Sequence, residues 1–386
     1  NDREAEKYYR MVVDYYPGSE GASISKLRLA EYFSDIALLD EVGNLTSDET
    51  ISELALLEKA YQLFEKGEYV ETIKTIKGVA LKPVKTETRN DAKRLYAGAL
   101  EKEIERLKHV GQYNDLIFIY NENRDEIAGD INPEALVKVA ESYRRLGRNN
   151  EAVRVYDRIN IRDIGMDSRG DFILGQARSH ISIHNTERAV SILENSKKEK
   201  IKQPDTQRIN MLLAEMYHQQ GRNKEAEEIY NQIIQHNNEL PAQDMAKVFL
   251  NMGITFKGRK KYSEAKNYLM DSINIALDNK DAQELLRTAY IELGNVFHAE
   301  GRDYQAVKAF EKGFDLGYDT ENRDYWETRF RLAMGYIKTG ENSKAETLLN
   351  DISEEGEDSI LQQRAQLKLG SIQLSKNLKA LSMGSN

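Results

Sequence analysis

Small and large apolar residues recur along the chain at one fixed set of offsets. A small residue is followed by a large apolar residue three positions later, a glycine four after that, an alanine five further on, and an aromatic residue or leucine four beyond it. The best copy consists of Gly294, Phe297, Gly301, Ala306 and Phe310. Because residues three or four apart share a helix face, the pattern predicts two amphipathic helices joined by a turn at the glycine.

The pattern keeps one register over a long stretch. Two further copies are Ala140, Tyr143, Gly147, Ala152 and Tyr156, and Ala214, Tyr217, Gly221, Ala226 and Tyr230. The first small residue recurs at positions 140, 177, 214, 253, 294 and 333, at intervals of 37, 37, 39, 41 and 39. Small residues let two helices cross closely, and each hairpin leaves an apolar face that only a neighbouring hairpin can cover. The pattern therefore predicts a stack of helix pairs.

These spacings resemble the tetratricopeptide repeat, most closely in the segments 147–152 and 221–226, although the intervals exceed the roughly 34 residues usual for that family. The resemblance implies an all-α, right-handed superhelical solenoid of antiparallel helix pairs. We expect looser repeats over 1–130 that start inside a repeat, six well-registered repeats over 131–352, and an unpaired helix with a frayed tail over 353–386.

The composition argues against several classes of function. The net charge of −9 argues against a general nucleic-acid binder, which needs a basic stripe, and no apolar stretch approaches the length of a membrane span. The chain has no cysteine, so thiol chemistry and cysteine-based metal sites are excluded.

No arrangement of residues predicts catalysis. The sequence has no nucleophile with a matching base, no phosphate loop and no metal cluster, so we expect no catalytic residue, cofactor or metal. His180 and His184 have a spacing that could hold a metal, but they occupy the aromatic packing position and the turn position of a repeat. Packing is the favoured interpretation of both histidines.

In tetratricopeptide repeats the first helix of each pair lines a groove that receives the partner. Carried over by offset, the resemblance implies ten groove residues in this chain. They are Met211, His218, Leu250, Ile254, Ile291, Asn295, His298, Phe330, Met334 and Ile337.

Six of these residues, between Leu250 and Ile337, would form a contiguous apolar patch of the kind that marks an interface. Such a groove suits an extended peptide or an amphipathic helix. The equally weighted alternative is that the curvature of the stack buries these side chains between repeats. The carboxylate clamp of chaperone-binding members is not expected, because Ile291 stands where that clamp has a lysine.

The sequence thus predicts a non-catalytic scaffold that binds a protein or peptide, without nucleic acid and without direct membrane insertion. The turn Tyr16-Pro17-Gly18-Ser19 resembles repeats of bacterial envelope proteins, which favours a periplasmic or otherwise extracytoplasmic assembly or export complex over the cytoplasm. The Leu-Gly pairs at 293–294 and 369–370 resemble peptide-sensing members instead. The alternative is therefore a regulatory, peptide-sensing module of a larger enzyme or transcription regulator.

Overall fold

A computed structural model describes residues 2–82, 87–126, 131–235, 240–322 and 324–383 of the chain. Within these ranges the chain forms α-helices and short 3-10 turns, and it contains no strand. The all-α prediction is therefore confirmed. The tail predicted to fray lies, from residue 384 onward, outside the described residues. The chain divides into two compact units, Asn1–Ile201 and Lys202–Asn386, here called unit 1 and unit 2.

Unit 1 is a series of antiparallel helices, each packed on the next along the chain. Its helices are α1 (Asp2–Tyr15), α2 (Glu20–Phe33), α3 (Ile36–Leu45), α4 (Glu49–Glu65), α5 (Tyr69–Ala80), α6 (Glu87–His109), α7 (Tyr113–Asn123), α8 (Pro133–Arg145), α9 (Asn149–Tyr156), α10 (Arg169–Ser182) and α11 (Thr186–Asn195).

Unit 2 repeats the same architecture. Its helices are α12 (Gln203–Gln219), α13 (Asn223–Gln235), α14 (Ala242–Gly258), α15 (Tyr262–Leu277), α16 (Gln283–Ala299), α17 (Asp303–Asp315), α18 (Tyr325–Thr339), α19 (Asn342–Glu355) and α20 (Ser359–Met383). The helices α12, α14, α16, α18 and α20 each contact the next member of that set, and the intervening helices pack between them. We call the surface formed by these five helices the A-helix face.

The turn between paired helices requires a left-handed backbone. Gly301 and Gly340 adopt φ values of 73° and 87° within two residues of the ends of α16 and α18, where glycine carries no steric penalty. His184 and Lys260 stand at the equivalent place in two other hairpins, each with φ of 60°. His184 is therefore a turn residue, as its offset predicts.

The small residues allow the paired helices to touch. A Cβ added to Gly294 would lie 2.5 Å from Cδ1 of Phe310, and one added to Gly253 would lie 2.6 Å from Cγ of Leu269. Ala306, the small residue of the partner helix in the best copy, is 1% exposed. The predicted close crossing of the two helices of a pair is thus confirmed.

Unit 1 contains one buried carboxylate held by two cations. Glu53 of α4 is 5% exposed, and it accepts hydrogen bonds from Arg89 Nη2 at 2.7 Å and from Lys82 Nζ at 2.6 Å. Burial raises the pKa of Glu53, but the hydrogen bonds and charges of Arg89 and Lys82 outweigh burial and hold the pKa below its ordinary value. The carboxylate is therefore charged in the folded protein at neutral pH.

Candidate protein-binding face

The ten groove residues predicted from sequence all lie on α12, α14, α16 and α18 of unit 2. Five of them are buried, and five are half-buried. The buried residues are Met211, Leu250, Ile291, Asn295 and Phe330. The half-buried residues are His218, Ile254, His298, Met334 and Ile337.

The buried apolar residues differ from the expectation of an open patch. Met211, Leu250, Ile291 and Phe330 each stand three positions before the small residue of their helix. Ile291 packs so closely against α17 that a Cβ added to Gly313 would overlap it. The alternative of burial within the stack therefore describes Leu250, Ile291 and Phe330, because neighbouring helices cover this side of the A helix.

Phe330 and its neighbours illustrate how the stack covers this position. Phe330 is 5% exposed and belongs to the core cluster of α16 to α20, and the guanidinium carbon of Arg364 from α20 lies 4.3 Å from its ring centroid. Met334 and Ile337, on the same helix, are partly buried and pack against this cluster. Leu367 stands at the position of α20 that corresponds to Phe330, and it is 74% exposed.

The two histidines of the predicted groove have different surroundings. His218 Nδ1 lies 2.7 Å from Oδ1 of Asn223 and 3.5 Å from the hydroxyl of Thr255, so it is fixed by neighbouring helices. Burial, followed by the positive charges of Lys338 and Arg331, lowers the pKa of His298. His298 is therefore neutral at neutral pH in a positively charged environment.

A series of polar contacts joins neighbouring helices of the A-helix face. Lys247 of α14 lies 3.5 Å from Glu215 of α12, and Lys257 of α14 pairs with Glu292 of α16. Farther along, Arg331 Nη1 donates to Asn295 Oδ1 at 2.7 Å, which joins α18 to α16. The open part of this face therefore carries charged and polar side chains beside its partly open apolar ones.

A cavity of about 560 Å³ lies between α16, α18 and α20 on this face. Its apolar wall includes Phe330, Met334 and Leu367. Its charged lining consists of four basic side chains, Arg331, Lys338, Arg364 and Lys368, against one acidic side chain, Glu327. The cavity thus combines an apolar surface with an excess of positive charge, and we call it the basic pocket.

The groove predicted from sequence includes His298, Phe330 and Met334 of the basic pocket but not its basic side chains, which stand at other offsets. Arg331 and Lys368 both stand two positions before a small residue, at Ala333 and Gly370, and Lys338 stands five after Ala333. A comparison of charges at these offsets would have singled out the last two A helices. Such a comparison could not have predicted that Arg364 of α20 contacts the ring of Phe330 of α18.

The structure gives no support for a metal at the two histidines in unit 1. His180 is 3% exposed and its Nε2 lies 3.3 Å from Asp157 Oδ1, whereas His184 forms the exposed turn. Among the described residues, no group of three or more histidines and carboxylates could hold a metal ion. None of the helices described is both long enough and apolar enough to cross a membrane.

Two family models described as tetratricopeptide repeat match the chain, at residues 134–160 and 205–278. Among solved structures, a chain of the APC/C hetero-tetramer Cut9-Hcn1 is 16% identical with a TM-score of 0.50, and the match covers 91% of this chain and 64% of that one. BtubC from P. vanneervenii is 18% identical with a TM-score of 0.42, covering 62% of this chain and 91% of its own. No curated protein matches by sequence.

The likeness to the Cut9-Hcn1 chain, of whose length this chain spans less than two thirds, concerns the fold alone. Together with the helix pairs, their left-handed turns and their small-residue crossings, the family matches define an all-α repeat protein. The matches at residues 134–160 and 205–278 support the tetratricopeptide repeat superfamily. Proteins of this superfamily are generally protein-interaction scaffolds and are typically non-catalytic.

Proposed function

We propose that unit 2 binds a segment of another protein, either an extended peptide or a helix, along its A-helix face. The observation that carries the proposal is the recurrence of half-buried side chains on successive A helices. Ile254 and Met334 stand one position after the small residue of their helix, and His218, His298 and Ile337 stand four positions after it. A row of partly open side chains at a repeating interval suits a partner that runs across several repeats.

The binding is passive in this proposal, and the protein holds its partner without changing it covalently. The partly open residues of the A-helix face are apolar, charged, amide or histidine side chains, and no nucleophile with a matching base is found among the described ones. Asn295, the polar member of the five buried predicted contacts, is 8% exposed and accepts a hydrogen bond from Arg331. Its role is to position Arg331.

We propose further that the partner belongs to a bacterial envelope assembly or export complex outside the cytoplasm. The support is the turn after α1, where Ser19 caps α2 by accepting from the Ala22 amide at 3.1 Å and donates to the Tyr16 carbonyl at 2.8 Å. This turn resembles those of envelope repeat proteins. Fractionation of the source cells with an antibody against the chain tests the location. Recovery only in the cytosol would refute it and favour the regulatory alternative.

Selection from a library of random peptides displayed on phage tests the binding face directly. The inner variant is Ile254→Arg with Met334→Arg, and the matched outer variant is Met270→Arg, which changes a 45% exposed side chain on α15. We expect peptides selected on the native protein to bind the outer variant as well and to lose binding to the inner variant. Circular dichroism of both variants establishes that the helices remain folded.

Two results would refute the proposed face. Selected peptides that bind the inner variant as tightly as the native protein would show that the partner binds elsewhere. Equal loss of binding by Met270→Arg would show that any added positive charge disrupts recognition, whichever helix layer carries it.

A further inference from the structure

The basic pocket has a charge opposite to that of the chain as a whole. The chain carries a net charge of −9, whereas the pocket is lined by four basic side chains and one carboxylate. Even when Asp303, which pairs with Lys338 at 2.9 Å, is included, positive charge remains in excess. A local excess of positive charge on an acidic protein points to a negatively charged ligand.

The cations of the pocket retain the capacity to bind a second carboxylate. Glu327 lies 3.2 Å from Arg364 and 3.7 Å from Arg331, so a single carboxylate is shared by two guanidinium groups. Each guanidinium has five N–H donors, and the shared carboxylate, even with Asn295 Oδ1 accepting from Arg331, cannot satisfy them all. Lys368 is exposed and forms no ion pair among the described residues. Free donors therefore face the pocket.

The apolar wall adds a second requirement for the ligand. Met334 is half-buried and Leu367 is exposed, and both line the same cavity of about 560 Å³. A volume of this order accommodates a few side chains of a peptide and lies within the usual range of ligand pockets. Burial, together with the positive charges of Lys338 and Arg331, lowers the pKa of His298, another lining residue, and keeps it neutral. The preferred ligand thus carries carboxylates next to an apolar side chain.

We propose that the basic pocket binds an acidic segment of the partner protein. Side-chain carboxylates of that segment pair with Arg331, Arg364 and Lys368, while an adjacent apolar side chain packs on Met334 and Leu367. This inference rests on the proposed function of the A-helix face and names the chemistry of the partner. It concerns acidic side chains within a segment and not a free carboxyl terminus.

Fluorescence anisotropy with labelled synthetic peptides tests the inference. The first peptide alternates glutamate and leucine, the second replaces each glutamate by lysine, and the third replaces each leucine by serine, all with blocked termini. We expect the native protein to bind the first peptide best, the third more weakly and the second not at all. Binding of the first peptide should weaken as salt is added, because the ion pairs are partly exposed.

Charge-reversal variants locate the binding. Lys368→Glu changes an exposed side chain without an ion pair, and the matched control, Lys224→Glu, makes the same change on an exposed residue of α13. We expect Lys368→Glu to lower the affinity for the acidic peptide by about tenfold or more, since at least one ion pair becomes a repulsion. Lys224→Glu should leave the affinity within about twofold. Arg331→Met, which adds no negative charge, should also weaken binding.

Several outcomes would overturn the inference. Equal binding of the acidic and the lysine peptides, or equal weakening by Lys368→Glu and Lys224→Glu, would show that the pocket does not select carboxylates. Equally tight binding of a single-stranded oligonucleotide would indicate attraction to any polyanion. If library peptides bind the A-helix face but the acidic peptide does not, the inference fails while the proposed function stands.

Discussion

A close helix crossing in unit 2 predicts opposite effects for the glycine-to-alanine substitution at two sites, Gly294 and Gly370. At Gly294 an added Cβ would lie 2.5 and 2.6 Å from two carbons of the Phe310 ring. Ordinary carbon contacts are about 3.5–4.0 Å, so the methyl group would intrude by roughly 1 Å. At Gly370, inside α20, an added Cβ would meet nothing within 4 Å. Gly370→Ala is therefore the matched control for Gly294→Ala.

The magnitudes follow from two effects that can be separated. Alanine in place of a glycine inside a helix gains about 1 kcal/mol of stability, and both sites share this gain. Overpacking of a filled contact costs typically about 1–3 kcal/mol, and only Gly294→Ala incurs it. We expect Gly370→Ala to raise the free energy of unfolding by about 0.5–1 kcal/mol. Gly294→Ala should lie about 1–3 kcal/mol below that control.

Urea unfolding followed by tryptophan fluorescence measures the difference. Trp326 is the only tryptophan of the chain and lies in α18, so its emission reports on the unit that contains both glycines. We expect the urea midpoint to move up in Gly370→Ala and down in Gly294→Ala. Shifts of the same sign and size in both variants would refute the close crossing at Gly294 and with it the register of the repeat.

Three further predictions concern other parts of the chain. Because the pKa of Glu53 is lower in the folded protein than its ordinary value of 4.5, its ion pairs stabilise the fold above that pH and lose their effect as the pH falls through the folded-state pKa. Thermal melting should accordingly show a smaller acid-side loss for Glu53→Gln than for the native protein, and equal losses would contradict the assignment. Lys260→Gly should stabilise unit 2 by about 1 kcal/mol, since Lys260 adopts φ of 60°, and an unchanged urea midpoint would refute the strain. Phe330→Ala should destabilise unit 2 by about 3–5 kcal/mol, whereas Met334→Gln should leave the urea midpoint nearly unchanged. Loss of peptide binding by Phe330→Ala at unchanged stability would show instead that the ring faces the partner.

The fold could be predicted from sequence because the repeat is defined by residues at short, fixed spacings along the chain. Gly294, Phe310 and Gly301 specify a close crossing, a filled core position and a left-handed turn, and each requirement involves residues near one another in the chain. Even departures from the pattern follow the same geometry, as His184 and Lys260 adopt the backbone conformation of the glycine they replace. Local constraints repeated many times leave few alternative folds.

The binding face was harder to predict, because it depends on which side chains the neighbouring helices cover. Leu250 and Ile254 lie four residues apart on α14, yet Leu250 is 4% exposed and Ile254 is half-buried. Hydrophobicity does not distinguish the two side chains. The difference arises from the neighbouring helices, whose position depends on interhelical packing, which sequence offsets describe only approximately.

Whether an A-helix side chain supports the stack or faces a partner depends on a shift of a single position. Three residues before the small residue the side chains are apolar and covered, as Ile291 and Phe330 show. Two residues before it stand Glu292 and Arg331, whose charged groups contact the neighbouring A helix and remain partly open. Since the covered position supplies the cohesion between repeats, its hydrophobicity cannot vary freely without loss of the stack. The open position carries no such constraint, and its charge can change from repeat to repeat. If the A-helix face binds the partner as proposed, we expect partner specificity to be encoded at this position.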